Sequence, residues 1–349
     1  MTQLTDDSRV LGQGDWRYEP VIDWPQVPAE INLIEAIGVT VGADDRVYVF
    51  NRGHPAVLVF EPSGQFVTAW GENDFVRPHG MTAAADGSLY LTDDLGHRVA
   101  QYSAAGVLLR NVGPFGVASD TDAEGFDYRT IRTAAGPFNL PTNVGIAANG
   151  GLFVTDGYGN ARVHHFDADG TLLSSWGAPG AGPGEFNVPH GICIDARGRV
   201  LVADRENSRI QIFDQSGTLL DLWTDVVRPC DVFWSPDNVY FVAELGNQNG
   251  RYPWQPLPES PVGGRVSIFD SDGRLLSRWG GGLNARRPDG FYACHDIAVD
   301  SQRSIYVGEV AVTAAMAAGE DPTGLPTLRK FVHVSGMPGI QATADQRQS

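Results

Sequence analysis

Three histidines in this chain of 349 residues share a local context that could support metal chemistry. His79, His190 and His295 each stand immediately before a short apolar segment that reads as a β-strand. Three neutral imidazoles and one water complete an open Zn²⁺ site of the catalytic kind, in which the fourth position stays available. Iron(II), cobalt or manganese would accept the same ligands. The metal-site hypothesis therefore depends on whether the fold brings the three segments together.

A repeated pattern defines the elements that must position these histidines. Its clear copies are Phe60–Gly71, Phe166–Gly177, Phe213–Trp223 and Phe269–Gly280, with a weaker copy at Tyr102–Gly113 and a truncated one at Phe331–Gly336. Each copy reads as a strand, a turn containing glycine and a second strand, and two further strands precede it. Six units of four strands predict an all-β fold, a six-bladed β-propeller.

The ends of the chain complete this prediction. The segment Tyr18–Trp24 resembles the outermost strand that the sixth unit lacks, so we expect an N-terminal strand to close the last blade. The propeller is expected to form a single domain over residues 13–336. Residues 1–12 and 337–349 are expected to be flexible ends.

The position just before the innermost strand of each unit lies where the chain enters the central channel. Its six occupants, in order, are Ile37, His79, Thr142, His190, Cys230 and His295. Histidine recurs in units two, four and six, so a closed ring would relate the three imidazoles by an approximate threefold axis. Cys230 shares this ring, and we interpret it as a buried neighbour rather than as a fourth ligand.

One face of the propeller should carry the long connections, which in compact domains are often functional. They are Pro114–Gly136, Gly177–Asn187, Leu245–Gly264 and Ala311–Thr327. Arg52, Tyr158 and Arg205 fall in loops between second and third strands on this same face, so they could surround a metal. Arg205 could equally form a structural ion pair with a neighbouring acid such as Glu206, and both interpretations remain open.

Several motifs together resemble those of peptidyl-α-hydroxyglycine α-amidating lyase, within the wider family of NHL-repeat propellers. The motifs are Arg52–His54, Arg77–Gly80, Pro141–Asn143, Asp156–Arg162, Val188–Gly191, Ala203–Ile210 and Cys294–Asp296. The resemblance covers roughly residues 30 to 310.

This resemblance implies roles for individual residues. It implies a zinc ion held by His79, His190 and His295, a catalytic Tyr158, and active-site arginines Arg52 and Arg205. It further implies a structural calcium ion held by Asp296 with backbone carbonyls near Val39 and Met81. Asp296 follows His295 directly and could instead only orient that ligand.

The chain also departs from the family pattern. Gly159 stands where the tyrosine loop of the family normally has a cysteine, and Ala293 stands where a methionine is expected two residues before the third histidine. These departures leave the implied catalytic residues in place. They predict a substrate different from a secreted peptide, namely a small non-peptide molecule.

Composition limits the class of partner. The formal net charge of −17 argues against nucleic acid or an anionic membrane, because both require a basic face. The first residues form no signal-peptide pattern, and three cysteines fit a reducing compartment better than a disulfide framework. We therefore expect a cytoplasmic protein that acts on a small molecule. The sequence leaves its oligomeric state open.

Three functions are compatible with these observations. The first is a metal-dependent lyase that converts a carbinolamide-type C–N bond, or a related C–heteroatom bond, into a carbonyl product. The second is a hydrolase or hydratase that uses metal-bound hydroxide. The third is a non-catalytic, protein-binding NHL propeller, which has no need of three axial histidines.

Overall fold

The computed structural model describes residues 10–248 and 258–334, which form a ring of six antiparallel sheets. The two N-terminal strands are β1 (Leu11–Gln13) and β2 (Trp16–Val21). Blade one contains β3 (Ala36–Val41), β4 (Val47–Asn51), β5 (Val57–Phe60) and β6 (Phe66–Trp70). Blade two contains β7 (Pro78–Ala83), β8 (Leu89–Asp93), β9 (Arg98–Tyr102) and β10 (Leu108–Val112). Blade three contains β11 (Pro141–Ile146), β12 (Leu152–Asp156), β13 (Arg162–Phe166) and β14 (Leu172–Trp176).

The remaining blades repeat this arrangement. Blade four contains β15 (Pro189–Ile194), β16 (Val200–Asp204), β17 (Arg209–Phe213) and β18 (Leu219–Trp223). Blade five contains β19 (Pro229–Ser235), β20 (Val239–Glu244), β21 (Arg265–Phe269) and β22 (Leu275–Gly280). Blade six contains β23 (Cys294–Val299), β24 (Ile305–Glu309) and β25 (Leu328–His333), and β2 and β1 complete it. The predicted six-bladed propeller is confirmed.

The closing blade differs from its prediction in detail. β2 pairs with β25 through Tyr18 and His333, so an N-terminal strand does complete the blade. It spans Trp16–Val21 rather than Tyr18–Trp24, and β1 adds a fifth strand outside it. Because β1 begins at Leu11, the ordered part starts before residue 13, where the sequence placed it. The expected flexible segments at residues 1–9 and 337–349 lie outside the described residues.

Packing between blades explains the tryptophan and the glycine of the repeated pattern. The tryptophan that ends an outer strand lies against the hairpin glycine of the following blade, as Trp70 does against Gly106 and Trp176 against Gly217. Both glycines have positive φ, which side chains with a Cβ rarely adopt, and an added Cβ would overlap the indole ring. The same tryptophan stacks on the next blade, with 5.4 Å between the ring centroids of Trp70 and Tyr102.

Each innermost strand is distorted at the residue that enters the channel. The register between the first and second strands shifts at the channel-entry position in all six blades, for example between Pro141 and Asn143 and between Cys294 and Asp296. Such β-bulges redirect a side chain out of the regular alternation. The bulges thus occur where the ring of six channel residues is built.

A buried side chain at the end of each second strand fixes the segment that leads into the bulge. In blade two, the carboxylate of Asp93 accepts hydrogen bonds from the backbone N–H groups of Val76 (2.7 Å), Arg77 (2.8 Å) and Gly96 (3.0 Å). The equivalent acceptors in the other blades are Asn51, Asp156, Asp204, Glu244 and Glu309. We call these six residues the anchor residues.

The long connections lie on the face where the channel residues enter. That of blade six includes an α-helix which the sequence did not reveal, α1 (Ala311–Ala318), and 3₁₀ turns occur at Tyr128–Thr130 and Arg205–Asn207. Among the described residues, no helix has the length and apolar character that crossing a membrane would require. Cys193 and Cys294 are free thiols.

Removing an anchor should destabilise the propeller because several backbone donors would lose their acceptor in a partly buried setting. Asp93→Ala is expected to lower the free energy of unfolding by about 2–4 kcal/mol. Asp86→Ala is the matched control, because Asp86 accepts hydrogen bonds from Ser88 in an exposed turn and its loss should cost about 1 kcal/mol or less. Denaturant titration measures both, and equal losses would contradict the role of the anchor.

Candidate metal centre and active site

The three predicted histidines meet in the channel. The ring centroids of His79, His190 and His295 lie 4.9, 4.9 and 4.6 Å apart, and one nitrogen of each ring lies within 4.8 Å of the others. All three side chains are buried. This group could hold a metal ion.

The second nitrogen of each imidazole is fixed by the neighbouring blade. The Nδ1 atoms of His79, His190 and His295 each lie 2.7 Å from a backbone carbonyl oxygen, which belongs to Thr142, Cys230 and Ile37 respectively. A carbonyl only accepts hydrogen bonds, so each Nδ1 carries the proton and each Nε2 offers a lone pair. This is the arrangement that metal-bound histidines normally show.

Burial also favours the neutral imidazoles that a metal requires. It lowers the pKa of His79 well below its usual value, and the nearby His190 and Arg52 lower it further. The donor set therefore fits a divalent metal ion: three imidazoles that backbone carbonyls orient, with no carboxylate among them.

Tyr158 lies directly beside this group. Its hydroxyl oxygen is 3.1 Å from Nε2 of His79 and 3.1 Å from Nε2 of His190. Gly157 and Gly159 make this position possible, because a Cβ at Gly157 would overlap the backbone of Pro189 and a Cβ at Gly159 would overlap the side chain of Asn139. Close packing thus accounts for Gly159 where a cysteine was expected.

Arg205 approaches Tyr158 from the neighbouring blade. Its Nη1 donates to the hydroxyl oxygen of Tyr158 at 3.1 Å, and its Nε donates to Glu206 at 2.8 Å. The same carboxylate accepts two hydrogen bonds from Arg228, at 2.9 and 3.1 Å. The ion pair that the sequence left open exists, and Arg205 contacts Tyr158 as well.

Arg52 lies at the edge of the same space. Its Nη1 pairs with Glu35 at 3.2 Å and its Nε donates to the carbonyl of Pro78. Its Nη2 is buried and has no hydrogen-bond partner within residues 10–248 and 258–334. Burial, followed by the nearby charge of Arg77, lowers the pKa of this guanidinium. A buried N–H donor without an acceptor is costly, so a substrate oxygen would be a favourable partner.

Comparisons with known proteins agree with this description. An NHL-repeat family model matches residues 186–213. Human NHL repeat-containing protein 3 is 31% identical over 248 residues, which cover 65% of this chain and 68% of that protein. The chain belongs to the NHL-repeat family.

Two other relatives of this NHL propeller are named for α-amidation, and one of them bears the name of the lyase that the sequence resembles. Peptidyl-α-hydroxyglycine α-amidating lyase 1 of Drosophila melanogaster is 31% identical over 84% of this chain. Peptidyl-glycine α-amidating monooxygenase B of Xenopus laevis is 27% identical over 88% of it. The matched regions cover 52% and 36% of those proteins, so the chain corresponds to only part of each. The predicted resemblance is confirmed.

Solved structures confirm the fold. Virginiamycin B lyase from Staphylococcus aureus, crystallised with quinupristin, has a TM-score of 0.56 at 12% identity, over 93% of this chain and all of that one. A gluconolactonase from Xanthomonas campestris has a TM-score of 0.57 at 15% identity, over 95% and 93% of the two chains. At such low identity the likeness concerns the NHL propeller's architecture alone.

The residues predicted for calcium line the other half of the channel. Val39, Met81 and Asp296 border a cavity of about 290 Å³ together with Asp231, which sequence reasoning missed. The carboxyl groups of Asp231 and Asp296 are hydrogen-bonded to each other, and burial raises the pKa of both, that of Asp231 to about 6. A bound divalent cation would stabilise both carboxylates and relieve the repulsion between them, so these two groups could supply oxygen ligands to calcium.

Sequence reasoning missed other residues that shape the site. Arg228 holds Glu206, the expected partner of Arg205, and Glu35 holds Arg52. Phe126, from the long loop of blade three, packs edge-on against Tyr158 with 5.4 Å between centroids. Nothing periodic in the loop marks Phe126.

The metal hypothesis predicts that His190→Ala loses most of the bound metal while the propeller stays folded, because blade packing does not depend on the channel. Metal analysis of the purified protein, with circular dichroism, tests this. His165→Ala is the control, since His165 stacks on Phe153 in an outer strand with 4.1 Å between centroids and should leave the metal content unchanged. A triple alanine variant of the three channel histidines that retains the parent's metal would show that the site is elsewhere.

Proposed function

We propose that this protein is a zinc-dependent lyase that cleaves the C–N bond of a small carbinolamide into an amide and a carbonyl compound. The observation that carries the proposal is the position of the Tyr158 hydroxyl, 3.1 Å from Nε2 of two channel histidines and 3.1 Å from Nη1 of Arg205. The phenolate form of a tyrosine in this position can remove a proton from a hydroxyl group placed over the histidines. The relatives named as amidating lyases support the same reaction class.

The chain's own residues supply most of the chemistry. Zinc, when held by His79, His190 and His295, would act as a Lewis acid towards the carbinol oxygen. The positive charge of Arg205 stabilises the phenolate form of Tyr158, which takes the hydroxyl proton and, as the phenol, returns it to the departing nitrogen. The C–O bond becomes a carbonyl, the electrons of the C–N bond pass to nitrogen, and nitrogen is protonated. Atoms balance without an oxidant or an added water.

Arg52 has a binding role in this proposal. Its unpartnered Nη2 is available to an oxygen of the substituent on the carbinol carbon, such as a carboxylate. Glu35 holds the other side of the guanidinium, so the donor is oriented before the substrate arrives. N-acyl-α-hydroxyglycines carry both the carbinol and the carboxylate, and they are the first compounds to assay.

Tyr158→Phe removes one oxygen and little volume, so it tests the proton transfer. We expect kcat to fall by about 10²- to 10⁴-fold with metal content unchanged, which is the usual contribution of a general acid–base group. Tyr128→Phe is the matched control, because Tyr128 packs on the same small cluster as Tyr158. If Tyr158→Phe keeps the parent's activity, Tyr158 is not the base of the reaction.

Isotope labelling separates this lyase from a hydrolase or hydratase. In a lyase the carbonyl product keeps the substrate's own hydroxyl oxygen, whereas water delivery introduces oxygen from H₂¹⁸O at the attacked carbon. The product must be trapped quickly, because aldehydes exchange oxygen with water. Immediate incorporation of solvent oxygen would favour the hydrolase or hydratase.

Glu206 should influence turnover through Arg205. Glu206→Gln removes the charge that holds Arg205 and Arg228, so we expect kcat to fall about tenfold or more, as for loss of a buried hydrogen bond to a charged group. In a Tyr158→Phe background the same change should have little further effect, because interacting residues are not additive. Equal effects of Glu206→Gln in both backgrounds would contradict action through Tyr158.

A further inference from the structure

The space above the channel histidines is not filled evenly. Two residues before each of the six channel residues stand Glu35, Arg77, Leu140, Val188, Arg228 and Ala293. Glu35, Arg77 and Arg228 form ion pairs with Arg52, Asp94 and Glu206, and Leu140 and Val188 pack on Tyr158. Ala293, the sixth member, offers only a methyl group.

Tyr158 occupies the side of blades two to four. Its hydroxyl contacts His79 and His190, and Leu140, Val188 and Phe126 pack around its ring. A substrate that reaches this hydroxyl from the open face must therefore extend towards blades five and six. That is the side of His295, which follows Ala293 by two residues.

A small pocket lies on that side. It is lined by Arg228, Leu245, Gln248, Tyr292, Ala293 and Ala314, and we call it the Ala293 pocket. The free volume of the pocket is about 20 Å³, which is enough for one water molecule or one methyl group. Ala314 belongs to helix α1, so this helix forms one wall.

The polar groups of the Ala293 pocket are already engaged. Arg228 donates to Glu206 and, through Nη1, to the carbonyl of Gly246 at 3.4 Å. The side-chain amide of Gln248 donates to the carbonyl of Tyr292 at 2.7 Å. An apolar occupant therefore loses no hydrogen bond on entering, whereas a charged one would find no new partner.

We propose that the Ala293 pocket binds the acyl substituent of the substrate and limits it to the size of a methyl group, so that the preferred substrates are N-acetyl compounds. This inference rests on the proposed function, in which the carbinol oxygen lies over the histidines and Arg52 binds the other substituent of the carbinol carbon. The amide then points away from Tyr158, towards blades five and six.

The test uses the product amides, whose binding does not require turnover. Dissociation constants of formamide, acetamide, propionamide and butyramide are measured on the metal-loaded protein by NMR titration. We expect acetamide to bind most tightly and butyramide at least about tenfold more weakly, because one extra methylene in a hydrophobic pocket typically changes affinity by about 10- to 200-fold. Affinity that rises steadily with chain length, or no binding by any amide, would overturn the proposal.

Variants locate the effect. Ala293→Leu should fill the pocket and make formamide the preferred ligand. If this variant does not fold, Ala314→Leu is used instead, because it fills the pocket from helix α1. Ala317→Leu is the matched control, because Ala317 is exposed on the same helix and its substitution should leave the order of amide affinities unchanged. If a folded variant with a filled pocket still binds the four amides in the parent's order of affinity, the proposal is also overturned. If acetamide is preferred as expected but no carbinolamide is cleaved, the lyase function fails and the pocket assignment stands.

Discussion

The site depends on hydrogen bonds between backbone N–H groups at the channel entrance and a buried side chain at the end of each second strand. The anchor residue of each blade accepts from the segment that precedes the β-bulge, as Asp93 does from Val76 and Arg77. The bulge breaks the regular ladder at this point, and unpaired buried N–H groups are costly. The anchor supplies the missing acceptors, so the bulge and the side chain it redirects are held in one position.

The anchors also tie the entrance to the third strand of the same blade. Asp156 contacts His164, Asp204 pairs with Arg209 at 2.7 Å, and Glu309 pairs with Arg329 at 2.6 Å. His164 further contacts Ser175, which produces an Asp–His–Ser chain like that of a serine hydrolase. The equivalent positions of blades four and six hold Gln211 and Arg329, which also contact the anchors of their blades, so we interpret this chain as structural. His164 received no chemical role from the sequence, and its contacts agree with that interpretation.

Sequence alone predicted the features that repetition makes visible. The strand pairs and the alternation of histidine around the ring follow from copies that can be aligned with one another, and they identified His79, His190 and His295 without a structure. The details that failed come from places where the chain does not repeat, such as β1 and helix α1. The partners Asp231 and Arg228 were missed for a different reason, because contacts across blades depend on the angle between neighbouring sheets, which no local pattern reports.

The charge of the entrance differs from that of the chain as a whole. Four buried or largely buried arginines, Arg52, Arg77, Arg205 and Arg228, face three paired acids, Glu35, Asp94 and Glu206, which leaves one net positive charge beside neutral histidines. Burial raises the pKa of Asp94 to about 6 in spite of Arg77, so protonation of this group would increase the positive excess further as the pH falls.

The net charge of −17 is spread over the whole molecule and is screened beyond about 8–10 Å in physiological salt. A substrate anion or a developing oxyanion at the histidines therefore experiences mainly the local arginines, which are least screened because they are buried. This local excess explains how an acidic protein can favour negative charge at the one place where the proposed reaction creates it.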